Sequence, residues 1–271
     1  MPPMLTLTAR AARGLLAAAL LFGLAACGSP RKDPTDSMTV EKLYEDARDE
    51  VSAGNWDRAT QLYEKLEARA AGTAIAQQAQ IDLAYAQFKG GQKDPALATL
   101  ARFIKLHPSS PALDYAYYLQ GLVNFNDNLG ILGSFTRQDL SERDQQASRD
   151  AYQSFRQLVT QFPSSKYAPD AQLRMNHIVN SLAQYEVHVA RYYYKRAAYV
   201  AAANRAQQAV QEFQNSPAVE EALYILTLSY DQLGMEALRD DAQRVLAKNF
   251  PESRYVKDGF VAPEKPWWQL W

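Results

Sequence analysis

The chain has one cysteine, three histidines and no long apolar run beyond residue 27. A single thiol cannot form an internal disulfide, so packing alone must hold the fold together. The histidines, His107, His177 and His188, lack the spacing of metal ligands. Beyond residue 27 there is no phosphate-binding glycine loop, nucleophile elbow or cysteine nucleophile. The sequence therefore predicts a protein that is not an enzyme and that has no cofactor other than covalent lipid.

Residues 1–26 have the layout of a secretion signal. Arg10 and Arg13 give a positive start, an apolar stretch too short to span a bilayer comfortably follows, and two alanines precede Cys27. The run Leu24-Ala25-Ala26-Cys27 resembles a bacterial lipobox. That resemblance implies cleavage before Cys27, an S-diacylglycerol on its thiol and an N-acyl chain on the new amino terminus. Three acyl chains anchor a protein essentially permanently.

Two alternatives to the lipid anchor stay open. One is a cleaved signal whose cysteine is incidental, and the other is an amino-terminal membrane helix that is never removed. Gly28 follows the cysteine at a position where lipoproteins retained in the inner membrane commonly have aspartate. We therefore expect the outer membrane, at its periplasmic face. Residues 27–38 are polar and contain proline, which predicts a flexible tether.

Charge argues against two classes of partner. The chain has 29 basic and 30 acidic side chains, a net charge of −1, and loss of Arg10 and Arg13 with the signal takes it to −3. A slightly acidic body does not favour nucleic acid or anionic lipid as the main partner.

From Val40 onward the sequence is typical of helices, with apolar residues recurring three and four apart. Gly54-Asn55 and Gly90-Gly91 divide it into short helical hairpins. A turn element recurs, faintly from Ala70 and then as His107-Pro108-Ser109-Ser110, Phe162-Pro163-Ser164-Ser165, Phe213-Gln214-Asn215-Ser216 and Phe250-Pro251-Glu252-Ser253. Two of the intervals lie near the roughly 34 residues of a tetratricopeptide repeat. The prediction is an all-α tetratricopeptide-repeat α-solenoid of about five helix pairs, with a compact helical bundle as the alternative.

Small and aromatic residues recur where that repeat needs close helix contact. They are Ala59 and Tyr63 in the first unit, Ala84, Ala96 and Leu100 in the second, and Gly121, Ala151 and Phe155 in the third. The third and fourth units carry insertions. A glycine-bearing, then charged segment separates the helices of the third unit, and the first helix of the fourth runs unbroken from about Pro169 to Tyr194. The predicted divisions after the tether are repeats at 39–125, an insertion loop at 126–150, repeats at 151–259 and a proline- and tryptophan-rich tail at 260–271.

This order of parts closely resembles the BamD (ComL) family of lipoproteins of the outer-membrane β-barrel assembly machinery. The resemblance covers Val40 to Asp258, and one departure is Ala70-Ala71-Gly72, where the family usually has an aromatic residue and proline. Its most specific stretches are Gly54-Asn55-Trp56, Arg102-Phe103-Ile104-Lys105-Leu106, Phe162-Pro163-Ser164-Ser165-Lys166-Tyr167, and Ala183 to Tyr193 leading to Asn204-Arg205. It implies a periplasmic scaffold that docks on the barrel insertase, joins accessory lipoproteins of the same complex and helps recruit unfolded outer-membrane protein precursors.

The resemblance also implies residues that bind the insertase. Arg205 matches a position that contacts the periplasmic domain of the insertase in that family, and Asn204 and Arg191 are predicted beside it. Because a guanidinium offers a planar fork for a carboxylate, we expect an acidic residue of the partner to bind Arg205. The alternative is an ordinary surface arginine.

A candidate substrate groove lies in the amino-terminal repeats. First helices of such repeats line a groove that suits an extended peptide. Tyr85, Phe88, Tyr117 and Tyr118 are predicted to supply apolar contacts, and Arg102 and Lys105 to meet the terminal carboxylate of a precursor. The alternative is that the tyrosines belong to the core and that the two basic residues form a solvated face.

The sequence also suggests a role for the carboxyl-terminal tail and leaves two other functions open. Phe260 to Trp271 holds three of the four tryptophans, and we hypothesise that it contacts a partner or the membrane surface. The alternative is simple packing on the last repeat. The alternative function is a tetratricopeptide lipoprotein of envelope integrity or of peptidoglycan-linked division machinery, for which more uniform repeats would be expected. A murein-processing enzyme is the third hypothesis.

Overall fold

The computed structural model of the chain describes residues 34–125 and 145–258, which form helices and turns. The first element is a single 3-10 turn, Pro34–Ser37. The α-helices that follow are α1 Val40–Ser52, α2 Trp56–Arg69, α3 Ala74–Lys89, α4 Lys93–Leu106, α5 Leu113–Asn124, α6 Gln145–Gln161, α7 Ala168–Lys195, α8 Tyr199–Glu212, α9 Val219–Gln232, α10 Glu236–Asn249 and α11 Arg254–Asp258.

Each helix from α1 to α10 packs against the next in chain order, and α3 also contacts α5 as α7 contacts α9. In the described part of the chain, α1 to α10 form five antiparallel pairs in which the first helices of neighbouring pairs meet. This confirms the predicted all-α solenoid of tetratricopeptide type with five pairs. No helix within the described residues is both long and apolar enough to cross a bilayer.

The turns inside the pairs share one geometry in the four pairs whose turn is described. The residues at its left-handed position are Gly54, Gly91, Ala197 and Gly234, with φ of 77°, 77°, 58° and 68°. In each case the next N–H reaches back to the carbonyl five residues earlier, at 2.8–3.0 Å. This hydrogen bond is the six-residue closure of a Schellman motif. Glycine suits its left-handed position because the Cβ of any other residue lies too close to the residue's own backbone there. Ala197 is therefore the strained member of the set.

The turns between pairs also repeat. The carbonyls of Ala70, His107, Phe162, Phe213 and Phe250 each accept a hydrogen bond from the N–H three residues later, at 2.8–3.0 Å. The four turns predicted from the Pro-Ser element and its variants are thus real and equivalent. The fainter one at Ala70 belongs with them, although it lacks the aromatic residue and the proline.

Small residues allow the helices to approach closely. Ala59, Ala84, Ala96 and Ala151 are fully buried, as the repeat predicted. A Cβ added to Gly121 would overlap the ring of Phe155 on the facing helix. The helices of the third pair therefore meet at a distance that only glycine permits.

The insertions are confirmed in one case and shortened in the other. Helix α7 has 28 residues, two more than the predicted Pro169–Tyr194 span of 26 and much longer than the other helices. The boundary predicted at residue 150 for the insertion loop is too late, because Gln145 already begins α6. In the first turns of α6, Nε2 of Gln146 donates a hydrogen bond to Oδ1 of Asp150 at 2.9 Å. Side chains four residues apart are neighbours on a helix, and such a pair stabilises it.

The body begins earlier than the predicted tether boundary at residue 38. Thr35 is fully buried, and its carbonyl accepts a hydrogen bond from Nη1 of Arg69 at 2.8 Å. Nη2 of Arg69 lies 3.3 Å from Oδ1 of Asp36, and Nζ of Lys65 lies 3.0 Å from Oγ1 of Thr35. Residues 34–38 are therefore fixed to α2, which shortens the predicted tether at its carboxyl end. Cys27, the segment 126–144 and the tail 260–271 lie outside the described residues.

Candidate functional site

A cleft of about 730 Å³ opens between the first helices of the first three pairs. We call it the first-helix cleft. It is lined by Tyr44, Glu45, Arg48, Asp49, Val51 and Ser52 of α1, Tyr63 of α2, Asp82 and Tyr85 of α3, and Tyr115 of α5. Its volume falls in the range of about 300–1,000 Å³ that is usual for ligand sites.

Asp82 is half-buried in this cleft, whereas the other two acids of the lining, Glu45 and Asp49, are exposed. Its Oδ2 accepts a hydrogen bond from the hydroxyl of Tyr44 at 2.9 Å, and its Oδ1 accepts one from Nε2 of Gln78 at 3.0 Å. Burial raises the pKa of Asp82 above its ordinary value, and the two hydrogen bonds and the charge of Arg48 oppose the rise. Burial, followed by the charge of Asp82, raises the pKa of Tyr44 to about 12. Within the described residues, Asp82 has no basic side chain in ion-pair contact.

Aromatic contacts hold the tyrosines of the cleft in place. The ring of Tyr44 meets that of Tyr63 edge-on at 6.1 Å, and Tyr85 meets Trp56 edge-on at 6.2 Å. Tyr115 lies 5.3 Å from Tyr167 of the next pair. Because each ring is supported from behind, the cleft has a preformed aromatic wall.

A second cleft, of about 660 Å³, lies on the other side of α3. We call it the second-helix cleft. It is lined by Glu64, Glu67 and Ala68 of α2, Leu83 and Gln87 of α3, and Pro95, Ala98, Thr99 and Arg102 of α4. Nη2 of Arg102 lies 2.9 Å from Oε2 of Glu67, so the arginine already has a carboxylate partner in the chain.

The two clefts share no lining residue, which corrects the predicted substrate groove. Tyr85 lies in the first-helix cleft and Arg102 in the second, because they belong to different helices of one pair. Lys105 is exposed on α4 and lines neither cleft. The structure therefore does not bring the two basic residues together with the tyrosine.

The other predicted aromatic residues of the groove pack inside the solenoid. Phe88 is half-buried against the core between α3, α4 and α5. Tyr117 packs against Phe162 with ring centres 6.4 Å apart. Tyr118 stacks on Tyr167 at 4.7 Å and donates its hydroxyl to Oδ2 of Asp170 at 2.8 Å. Only Tyr85 of the six predicted residues lines the first-helix cleft.

Sequence reasoning missed most of the cleft, and one signal could have found it. Asp82 is a charged residue inside the otherwise apolar run from Ile81 to Ala86. It lies three residues before Tyr85, so the two side chains share one face of α3. An acid that interrupts an apolar helix face next to an aromatic residue is a recognisable sign of a lined cleft. Tyr44 and Tyr115 carried no comparable local signal.

Arg205 of α8 has a carboxylate partner within the chain. Its Nη1 lies 3.1 Å from Oε2 of Glu186 on α7. The Glu186 side chain is 3% exposed and that of Arg205 is 42% exposed, so the pair connects the core to the surface. An acid of the chain itself, on α7, thus binds Arg205, and this hydrogen bond uses one of the five donors of the guanidinium.

Arg191 is engaged in the same way. Its guanidinium binds the carboxylate of Glu221 on α9, whose side chain is almost buried. Oε2 of Glu221 also accepts a hydrogen bond from the hydroxyl of Tyr255 at 2.9 Å, so this acid joins α7, α9 and α11. Asn204, in contrast, is exposed on α8. The predicted insertase residues are thus one surface amide and two arginines that are ion-paired within the chain.

Exposed apolar side chains flank the turn between α7 and α8. Tyr192 is 50% exposed at the end of α7, and Val200 is 59% exposed at the start of α8. The guanidinium of Arg196 lies 5.0 Å from the ring centre of Tyr192. Val200 and Asn204 are four residues apart, so they are neighbours on one face of α8. We call Tyr192, Arg196, Val200 and Asn204 the α7–α8 patch.

Neither cleft has the composition of a metal centre. In the parts of the chain that the structure describes, no group of three or more His, Cys, Asp or Glu side chains is arranged to hold a metal ion.

Comparison with known proteins gives a family for the whole chain. The profile of the YfiO family, described as an outer membrane lipoprotein, matches residues 36–246. The chain is 48% identical over 262 residues to the outer membrane protein assembly factor BamD of Neisseria meningitidis serogroup B, with 95% of this chain and 98% of that protein covered. It is 37% identical to BamD of Xylella fastidiosa strain Temecula1, covering 84% of this chain and 78% of that protein.

A more distant relative is BamD of Vibrio cholerae serotype O1, with 32% identity over 87% of this chain and 96% of that protein. Among solved structures, the protein is similar to MamA, with a TM-score of 0.37, 16% identity, and 83% of this chain and 97% of that chain covered. The Neisseria and Vibrio relatives are matched over 98% and 96% of their own length and the Xylella relative over 78%. The chain therefore belongs to the BamD family of outer membrane protein assembly factors.

Proposed function

We propose that this protein is an outer-membrane-anchored periplasmic scaffold of the β-barrel assembly machinery. Its carboxyl-terminal pairs dock on the barrel insertase, and its amino-terminal pairs receive unfolded outer-membrane protein precursors. The observation that carries the proposal is the near full-length similarity to BamD, an assembly factor, together with two different surfaces on the two halves of the solenoid. This role needs no catalysis.

The anchor follows from the amino terminus. Lipid on Cys27 holds the chain at the periplasmic face of the outer membrane, in keeping with the description of the matched family as an outer membrane lipoprotein. Because residues 34–38 are fixed to α2, the span between the anchor and the body is short. The first pair is therefore held close to the bilayer in which barrels are inserted.

Docking is assigned to the α7–α8 patch. An exposed tyrosine, an exposed valine and a guanidinium are typical of interface centres, where aromatic and arginine side chains contribute most. Arg205 lies beside Asn204 and keeps donors that the Glu186 contact does not use. An acidic side chain of the insertase can therefore bind the outer edge of Arg205 without breaking the internal pair. Accessory lipoproteins of the complex are further expected partners.

Reception of precursors is assigned to the first-helix cleft. It is open, preformed and lined by four tyrosines, and such surfaces bind extended peptides with little loss of conformational entropy. The second-helix cleft contains Arg102 in an ion pair and offers fewer aromatic contacts.

Co-purification of the full lipidated chain from detergent-solubilised membranes tests the docking assignment. Val200→Asp is expected to reduce recovery of the insertase at least tenfold. It adds an acid to the first turn of α8, where the helix dipole favours it, so the fold is retained. Val245→Asp is the matched control, because Val245 is 37% exposed on α10, away from the patch.

Equal recovery of the insertase by both variants would contradict the assignment. Recovery of peptidoglycan-bound division proteins by the parent chain, in place of the insertase, would favour the alternative function.

A further inference from the structure

We propose that the first-helix cleft binds one basic side chain, lysine or arginine, of an extended polypeptide, with the carboxylate of Asp82 as its charge partner. The proposal rests on the proposed function, because it names the chemistry by which the cleft selects a segment of an unfolded precursor. It differs from the expectation drawn from the sequence, in which basic residues of this protein meet a terminal carboxylate.

The charges that line the cleft have one dominant sign. Glu45, Asp49 and Asp82 are acidic, and Arg48 is the single base among the lining residues. Arg48 is exposed, whereas Asp82 is partly buried. A ligand that carried a carboxylate would meet three acids and one base. A cation is therefore the complementary group.

Asp82 has two neutral hydrogen-bond donors and, within the described residues, no ion-pair partner. Its two hydrogen bonds come from a phenol and a carboxamide. These occupy one acceptor site on each oxygen, and the charge of Arg48 acts on the carboxylate at longer range, without an ion-pair contact. Because the carboxylate has already lost part of its hydration in the folded protein, pairing with a cation costs less new desolvation than pairing at an exposed acid.

The aromatic wall favours the same ligand. Four tyrosines, Tyr44, Tyr63, Tyr85 and Tyr115, surround the acid. Cations are attracted to the faces of aromatic rings, and guanidinium groups also stack on them. The alkyl stem of lysine or arginine adds apolar contact with the same rings. An acid within a group of tyrosines thus matches both the charge and the stem of a basic side chain.

The size of the cleft indicates that more than one side chain enters. A volume of about 730 Å³ exceeds that of a single lysine or arginine side chain, so neighbouring residues of the ligand are accommodated as well. Aromatic and apolar neighbours would contact Tyr85 and Val51. The recognised element is therefore a basic residue within an otherwise apolar extended segment.

Fluorescence anisotropy with labelled peptides tests the proposal, using the full chain purified in detergent. The probes are twelve-residue peptides of alternating aromatic and polar residues that differ at one central position, which is arginine, glutamine or glutamate. The arginine peptide is expected to bind at least tenfold more tightly than the glutamine peptide, and the glutamate peptide most weakly. For the Asp82→Asn variant, the arginine and glutamine peptides are expected to have dissociation constants that differ by less than twofold.

Three further variants separate the specific effect from general ones. Asp82→Glu keeps the charge and should keep most of the preference for arginine. Glu67→Gln removes one charge from the second-helix cleft and should leave the preference unchanged. Arg48→Gln removes the competing cation and should increase the preference for the arginine peptide.

The outcomes are distinct. If all three peptides bind the parent chain equally, or if the preference survives Asp82→Asn, the basic-residue proposal is overturned while the cleft remains a peptide site. If no peptide binds, both this proposal and the assignment of precursor reception to the cleft are wrong. If Asp82→Asn does not fold, Arg48→Gln provides the test. A preference for the arginine peptide that does not increase in Arg48→Gln would then overturn the proposal.

Discussion

Arg205 on α8 holds the buried carboxylate of Glu186 on α7, with Nη1 and Oε2 3.1 Å apart. The two helices form the fourth pair, and the contact connects its core to the surface beside Asn204. A residue predicted from family resemblance to bind a partner thus has a structural role of its own. Experiments on docking must separate these two roles.

Charge reversal at this pair should destabilise the fold. Arg205→Glu would place a second carboxylate against the buried Glu186 and remove its counter-charge. The free energy of unfolding should fall by about 2–3 kcal/mol, below the roughly 3–5 kcal/mol of a fully buried pair, because Arg205 is 42% exposed and solvent screens its charge. Urea denaturation of the parent and the variant measures the difference.

The matched control is Arg244→Glu, which reverses an exposed arginine beside Asp241. That change should cost less than about 1 kcal/mol, because both partners are in solvent. Similar losses in the two variants would show that the Glu186 pair is not structural. In that case a loss of insertase binding in Arg205→Glu could be attributed to docking directly.

The turn between α7 and α8 offers a stabilising substitution. Ala197 has φ of 58° where the equivalent turns have Gly54, Gly91 and Gly234. Ala197→Gly should relieve the strain of a left-handed alanine, and we expect a net gain of about 1 kcal/mol after the added entropy of the unfolded chain. Calorimetry should show a rise in Tm of about 2–4 °C.

The reciprocal control is Gly91→Ala, which introduces the same strain at an equivalent turn with open space around the new Cβ. It should lower Tm by a comparable amount. A decrease in Tm for Ala197→Gly would mean that the alanine side chain makes a contact worth more than the backbone strain.

The raised pKa of Asp82 predicts the sign of a pH effect on stability. Burial raises its folded-state pKa above the ordinary 3.8, so the folded chain binds this proton more tightly than the unfolded chain. The contribution of Asp82 to stability is therefore fully present below pH 3.8 and is lost as the pH rises through the folded value. Asp82→Asn removes this dependence. The free energy of unfolding of the parent minus that of Asp82→Asn should be larger at pH 4 than at pH 7.

Urea titrations of both proteins at the two pH values measure that difference. A difference that is independent of pH, or larger at pH 7, would show that the carboxylate is not desolvated in the folded state.

The lipid anchor remains a prediction, because Cys27 lies outside the described residues. Cys27→Ala should release the protein from membranes or mislocalise it, since no other thiol is available for acylation. Fractionation with a carbonate wash measures the retained share. Equal retention of parent and variant would favour an uncleaved amino-terminal helix.

Residues close together in the sequence predicted the repeat, whereas contacts between residues far apart in the sequence determine the candidate sites. Gly54 and Gly91 could be recognised as turn residues from the sequence, because glycine adopts the left-handed conformation of these turns more readily than other residues. Ala197 carries no such mark, and its turn is held in register by the packing of α7 against α8. Tyr118, by contrast, is fixed by Asp170, 52 residues away, through its hydroxyl.

The composition of the first-helix cleft could not be read from spacing for the same reason. Tyr85 and Arg102 both belong to the second pair, yet the rotation of each helix about its own axis sends them to different clefts. That rotation is set by which residues the neighbouring helices bury, such as Phe103 on α4 and Leu83 on α3. Periodicity along one helix does not contain this information.

Site-specific photocrosslinking in cells tests the central claim, that the first-helix cleft receives barrel precursors. Benzoylphenylalanine placed at Tyr85 should yield adducts with unfolded outer-membrane protein precursors, and unlabelled precursor peptide should compete for them. The same group at Lys105, which lines neither cleft, should give none. Adducts at Lys105 but not at Tyr85, or adducts only from residues 151–258, would contradict the account.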